Sequence, residues 1–154
     1  MNTHNRIRTA AIAVGGLFGL AAGLGGYTFV YARGGSYLTN NPRACANCHV
    51  MQDHYDAWLK SSHRSVATCN DCHTPHNFVG KYWTKADHGF WHSYAFTTGN
   101  FHEPISMKAR SRAVTENACR HCHAEITHDI DAGRSAHNDR LLCIRCHSDV
   151  GHPR

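Results

Sequence analysis

The hydrophobic pattern divides the chain into one long apolar run and a mostly polar remainder. Residues 9–31 carry no charged side chain, whereas charged and polar positions are spread throughout residues 32–154. As a helix, the apolar run is about 35 Å long, which is enough to cross a hydrocarbon layer of about 30 Å. The pattern therefore predicts a tail over residues 1–8, a transmembrane helix over residues 9–31 and a polar domain over residues 32–154.

Two arginines predict the orientation of this helix. Arg6 and Arg8 precede the apolar run in a tail without acidic residues. Positively charged flanks stay cytoplasmic, so we expect the tail in the cytoplasm and the polar domain in the bacterial periplasm. A cleaved signal peptide is the alternative, but its apolar region usually has about 7 to 15 residues. We therefore expect a retained, single-pass anchor in the inner membrane.

The polar domain has the pattern of short helices joined by long turns. Helical periodicity is plausible over residues 50–62, 77–96 and 126–136, and residues 97–118 fit a linker that leads into a helix. The sequence therefore predicts a mainly α fold with little or no sheet. Residues 77–96 are also rich in Trp, Tyr and Phe, which favours an amphipathic helix at the lipid interface.

All 8 cysteines of the chain fall in four copies of one motif, Cys-x-x-Cys-His. This is the attachment signature of a c-type haem, in which both thiols form thioethers and the imidazole lies beneath the iron. We therefore predict four covalently bound haem c groups. Their attachment pairs are Cys45 and Cys48, Cys69 and Cys72, Cys119 and Cys122, and Cys143 and Cys146.

Zinc and disulfides are the two other common uses of paired cysteines. Tetrathiolate zinc gives no reason for histidine to follow every pair, and four such coincidences have a chance on the order of one in ten thousand. Identical internal spacing has no cause in a disulfide framework. Haem also fits the chain length, because about 30 residues per motif are too few for a sizeable apolar core.

The motif histidines are the default proximal ligands of the iron atoms. At the first motif, Met51 lies two residues after His49, so the two side chains compete for the same face of the haem. The second, third and fourth motifs supply His73, His123 and His147.

Sequence spacing leaves the distal ligands open. Several histidines outside the motifs could reach an iron, and an unmatched haem would be open to a substrate or completed by another chain. The candidates are His63 and His152, which lie near motifs, and equally His54, His102, His128 and His137.

Three side chains of the aromatic segment fall on one helical face. Lys85, His88 and His92 stand at positions i, i+3 and i+7. A cation and two imidazoles beside a haem could bind a quinol and accept its protons. The alternative is a solvated polar face opposite the aromatic one.

The formal net charge of +5 does not indicate a nucleic-acid partner. Haem propionates would cancel much of this charge, and the basic residues are scattered without a nucleic-acid-binding motif. We therefore expect no nucleic acid among the partners.

The membrane helix and the four motifs together resemble the NapC/NirT family of membrane-bound quinol dehydrogenases. The resemblance covers nearly the whole chain. It is strongest at Cys-His-Val-Met in the first motif, Cys-Asn-Asp-Cys-His-Thr-Pro-His at the second and Cys-His-Ser-Asp-Val-Gly-His at the last. Residues 36–51 and 93–99 are similar to the members that serve a nitrite reductase.

This resemblance implies a function and an entry site. The chain would oxidise menaquinol at the first haem and pass electrons to a periplasmic multihaem nitrite reductase, with which it forms a hetero-oligomer. Met51, rather than His49, would ligate the first iron, and Lys85 matches the family's quinol-site lysine. His92 stands where some members have an aspartate, which leaves the proton acceptor open.

The resemblance also implies how the other haems are completed. His63 would lie opposite His147 on the fourth haem, and His152 opposite His123 on the third. The second haem, on His73, would take its other ligand from a lysine of the partner catalytic subunit.

Three alternatives to this function stay open. The chain could donate electrons to another periplasmic reductase, or it could itself reduce a small nitrogen compound at an open haem. A soluble electron shuttle is disfavoured by the membrane anchor.

Overall fold

The computed structural model describes residues 2–132 and 141–152, in which helices and turns occur and strands do not. The predicted mainly α fold is confirmed. A first unit ends at Gly35 and a second begins at Ser36. The α-helices are α1 (Thr3–Tyr31), α2 (Gln52–Leu59), α3 (Cys69–His73), α4 (Phe78–Thr98), α5 (Ala109–Cys122), α6 (Ala124–Ala132) and α7 (Cys143–Cys146), and short 3-10 helices cover Gly34–Leu38, Pro42–Asn47 and His49–Met51.

Helix α1 contains the apolar run and begins six residues before it. It is long and apolar enough to cross a membrane, with a mean hydropathy of 1.6. The two threonines within the apolar run pair their hydroxyls inside the helix: Thr9 donates to the Asn5 carbonyl at 2.9 Å and Thr28 to the Leu24 carbonyl at 2.8 Å. Such internal pairing suits a helix surrounded by lipid, where no water can satisfy a polar group.

Local signals fix both ends of α4. The Asn77 side chain accepts a hydrogen bond from the Gly80 amide at 2.6 Å, which caps the first turn. A Cβ on Gly80 would come within 2.8 Å of the Asn77 side-chain oxygen, so this close approach requires glycine. At the other end, Gly99 adopts a left-handed conformation with φ of 68° and donates its amide to the Ala95 carbonyl. Helix α4 therefore has a defined length and register.

The helices that carry the cysteine motifs pack in chain order. Helix α3 contacts the 3-10 helix Pro42–Asn47 on one side and α5 on the other, and α5 also contacts α6 and α7. Consecutive motifs are therefore neighbours in the second unit.

Little apolar surface is buried within the part of the chain that the structure describes. Ala118 is its one buried apolar residue. The other buried residues are polar or charged, namely Thr74, Thr84, Lys85, Thr115 and Glu116. This agrees with the expectation that so short a chain does not build a sizeable apolar core of its own.

Candidate functional site

Three of the four motifs lie on helices and present their cysteines in the same way. Helix α3 spans the second motif, while α5 and α7 end at the last cysteine of the third and fourth. On a helix, residues at i and i+3 lie on one face, so both thiols of a motif point to the same side. All 8 cysteines are free thiols. This donor set fits the covalent attachment of a haem c at each motif.

The first motif has a different backbone. It lies in the 3-10 helix Pro42–Asn47, and the chain then becomes extended at Cys48, with ψ of 121°. A second 3-10 turn carries His49 and Met51 and leads into α2. Met51 is half-buried and His49 is exposed. The motif with two competing ligands is thus also the one without an α-helical turn.

The predicted proximal histidines of the third and fourth motifs continue the hydrogen-bond pattern of the helices that carry the cysteines. His123 and His147 donate their backbone amides to the carbonyls of Cys119 and Cys143, each at 2.9 Å. Desolvation, helped by the nearby His152, lowers the pKa of His73 to about 4. The imidazole of His73 is therefore neutral at pH 7, which is the form that binds a metal.

His63 lies between the third and fourth motifs. One ring nitrogen, Nδ1, is 3.2 Å from the Val150 carbonyl oxygen, three residues beyond His147. The ring of His63 is also 6.2 Å from that of His123, centre to centre. A donor bond from Nδ1 to a carbonyl leaves Nε2 free for a metal, as is usual for histidine ligands. His63 thus lies close to residues of both the third motif and the segment after the fourth, and its pairing with His147 stays a prediction.

The C-terminal His152 lies near the second motif. Its ring is 4.8 Å from His54 and 5.9 Å from His73, and it is nearly parallel to the latter. Its assignment to the third haem, opposite His123, stays a prediction. Among the other candidates, His102 and His128 are exposed, and His137 lies outside the described residues.

Lys85 is buried beside the first motif. Its side chain is 5 % exposed, so it does not belong to a solvated face. The ammonium donates to the Thr39 carbonyl at 2.6 Å and reaches the Asn40 side-chain oxygen at 3.4 Å. Desolvation, helped by the nearby Lys81, lowers the pKa of Lys85. The structure thus places the Lys85 ammonium against the turn that leads into the first motif.

His92 and His88 form a stacked pair two turns of α4 further along. Their ring centres are 5.4 Å apart, and Nε2 of His88 is 3.4 Å from the Ser111 hydroxyl on α5. Desolvation lowers the pKa of both imidazoles. Both are therefore neutral at neutral pH and able to accept a proton.

The opposite face of α4 is apolar and exposed. Trp83 and Phe90 are 64 % and 63 % exposed. The helix therefore turns its lysine toward the first motif and its aromatic side chains outward. This is the arrangement expected of a helix that lies in a lipid interface.

Sequence reasoning missed the groups that hold Lys85. Thr39 and Asn40 lie in a turn before the first motif, and Asn70 lies inside the second motif. The Asn70 side chain donates to the same two oxygens as Lys85, at 3.2 and 3.3 Å. A backbone carbonyl gives no signal in a sequence, so only the fold could reveal this contact.

The NapC/NirT cytochrome c family, N-terminal region, matches residues 7–154 of this chain. The chain belongs to this family. It is therefore a c-type cytochrome, and its apolar N-terminal helix makes it a single-pass protein of the inner membrane.

Individual relatives match along most of their length. The cytochrome c-type protein NrfH of Wolinella succinogenes is 39 % identical over 146 residues, which cover 88 % of this chain and 82 % of that protein. The cytochrome c nitrite reductase subunit NrfH of Nitratidesulfovibrio vulgaris is 28 % identical over 120 residues, 78 % of this chain and 72 % of that protein.

One solved structure has a similar fold. It is a crystal structure of the cytochrome c nitrite reductase NrfHA complex bound to the HQNO inhibitor. The TM-score is 0.64, the identity is 29 %, and the match covers 93 % of this chain and 91 % of that chain.

Proposed function

We propose that this chain is the membrane-anchored tetrahaem subunit that oxidises menaquinol and supplies electrons to a periplasmic pentahaem nitrite reductase. One observation carries the quinol site: Lys85 is buried next to the first haem-attachment motif, on the inward face of a helix whose outward face is aromatic. The relatives named NrfH and the NrfHA complex support the choice of partner.

The residues around Lys85 can bind a quinol and direct its oxidation. An ammonium has three N–H donors, and Thr39 and Asn40 accept two of them. The third is left to donate to a quinol oxygen, where the positive charge favours release of the quinol proton. The neutral imidazoles of His88 and His92 lie on the same helical face, and each can accept one of the two quinol protons on a ring nitrogen.

Bound haem c supplies one-electron transfer, whereas a quinol releases two electrons and two protons. Met51 is the proposed ligand at the first motif. Its thioether is soft and neutral, which tends to raise the potential of the iron relative to two histidines. A higher potential at the first motif favours electron entry there.

The remaining motifs give the electrons a route away from the entry site. The motifs pack in chain order, and His73, His123 and His147 are the proposed proximal ligands along that route. Arg6 and Arg8 support a cytoplasmic N-terminus, which puts the motifs in the periplasm. The second haem is proposed to take a lysine of the catalytic subunit as its other ligand.

Purification of the membrane complex tests this function. We expect the chain to carry four haems by intact mass, to co-purify with a pentahaem subunit, and to reduce nitrite to ammonium with dimethylnaphthoquinol as donor. Co-purification with another periplasmic reductase would instead favour a general NapC-type donor. Nitrite turnover by the isolated chain with an artificial donor would contradict the donor role.

A further inference from the structure

Lys85 belongs to a closed hydrogen-bond network that joins three parts of the chain. Its ammonium lies 2.6 Å from the Thr39 carbonyl oxygen and 3.4 Å from Oδ1 of Asn40. From another side, Nδ2 of Asn70 lies 3.2 Å from the same carbonyl and 3.3 Å from the same Oδ1. Each oxygen thus accepts two donors, which is the number of its lone pairs.

The four groups come from elements with different roles. Thr39 and Asn40 lie in the turn before the first motif, Asn70 lies between the two cysteines of the second, and Lys85 is on α4. The side chain of Asn70 presents two N–H groups to the turn, so it fixes the direction of both acceptor oxygens. Those oxygens in turn fix the directions of two of the three N–H donors of the Lys85 ammonium.

We propose that Asn40 and Asn70 are positioning residues that hold the Lys85 ammonium with its third donor directed at the quinol. The proposal rests on the quinol-oxidising function given above. A lysine side chain has four rotatable bonds and considerable rotamer freedom, so an unsupported ammonium would spread over many positions. The network removes this freedom before the quinol binds, and it ties the quinol site to α3, the helix that carries the second attachment motif.

Asn40→Ala tests the proposal in the full chain within its membrane complex. The side chain is exposed, so its truncation leaves the fold intact, and it removes one oxygen that orients the lysine. We expect kcat/KM for dimethylnaphthoquinol to fall about tenfold, the scale of one hydrogen bond to a charged group. Reduction by dithionite and the haem spectrum should not change. Asn70→Ala should give a similar loss.

Two further variants separate positioning from a structural role. Asn40→Gln keeps a neutral amide oxygen as acceptor and should retain kcat/KM within about twofold of the wild type. Asn40→Ala added to Lys85→Leu should cause no further loss, because Asn40 acts only through Lys85. Asn100→Ala, an exposed asparagine after α4, is the matched control and should behave as wild type.

The outcomes distinguish this inference from the proposed function. A wild-type kcat/KM in Asn40→Ala, or an equal loss when Lys85 is already leucine, would overturn the positioning role. A wild-type kcat/KM in Lys85→Leu alone would instead refute the proposed quinol site.

Discussion

The two halves of the haem domain use the same motif spacing but hold their motifs by different contacts. Cys69 follows Cys45, and Cys143 follows Cys119, at the same interval of 24 residues. Between the first two motifs, the oxygens of Thr39 and Asn40 accept hydrogen bonds both from Asn70 of the second motif and from the buried cation of Lys85. The second pair is bridged by a buried carboxylate.

That carboxylate belongs to Glu116, which is 6 % exposed. Its two oxygens accept the backbone amides of Cys143 and Ile144 at 2.8 and 2.9 Å, so α5 directly anchors the fourth motif. Arg120 adds an ion pair to Asp131 at 2.7 Å.

Both halves carry the same attachment motif, so the motif does not distinguish them. We attribute their different roles to the contacts around the motifs, those of Lys85 in the first half and of Glu116 in the second. The two backbone amides that donate to Glu116 belong to its own chain, so that contact holds the fold. Lys85 keeps one donor for a ligand. The first half is therefore suited to accept a substrate and the second to hold cofactors rigidly.

The largest effect should come from removing the cation of the first half. Lys85→Leu should lower quinol-dependent reduction about a hundredfold, the scale for loss of a charged donor at a reacting oxygen. Reduction of the same haems by dithionite should stay intact. Lys60→Leu, at an exposed lysine after α2, is the control. Equal quinol rates in the two variants would refute the site.

Removing the carboxylate of the second half should affect stability instead of quinol oxidation. Glu116→Gln leaves one buried amide facing an NH₂ group, which should lower the free energy of unfolding by about 1 to 3 kcal/mol. Thermal unfolding measures this loss, and Glu125→Gln on the exposed side of α6 is the control. If Glu116→Gln instead lowered the rate of quinol-dependent reduction and left thermal stability unchanged, the proposed difference between the two halves would be wrong.

Met51→Leu should change the spectrum of one haem and leave the rest as they are. The thioether is the proposed ligand at the first motif, and leucine has no atom to replace it. Magnetic or visible spectroscopy of the reduced and oxidised chain would detect the change. A spectrum that matches the wild type would indicate that His49, and not Met51, ligates the iron at the first motif.

The smallest expected effect is on the pH dependence of quinol oxidation. Desolvation, with His88 and Lys108 nearby, lowers the pKa of His92 from its ordinary 6.5. The neutral, proton-accepting form therefore persists as the pH falls through 6.5 and is lost only at lower pH. Steady-state rates should decline on that acidic side, and His92→Gln should remove the decline. An acidic decline that survives the substitution would exclude His92 as the acceptor.

Much of the fold could be predicted from the sequence because its strongest signals are local. A long run without charged residues identifies a membrane-spanning helix, and the Cys-x-x-Cys-His motif by itself identifies haem c as the cofactor. Residue spacing alone could not pair His63 and His152 with particular haems, because the pairing depends on how distant segments pack, and only the family resemblance assigns it. Asn70 gave no signal either, since its role depends on a backbone oxygen of Thr39.

The central claim is that quinol enters at the first half, and the position of a bound inhibitor tests it most directly. HQNO binds the homologous NrfHA complex. In a structure of this chain in its complex with HQNO, we expect the inhibitor to accept a hydrogen bond from Lys85 beside Cys45. An inhibitor bound against Glu116 and the fourth motif would contradict the account.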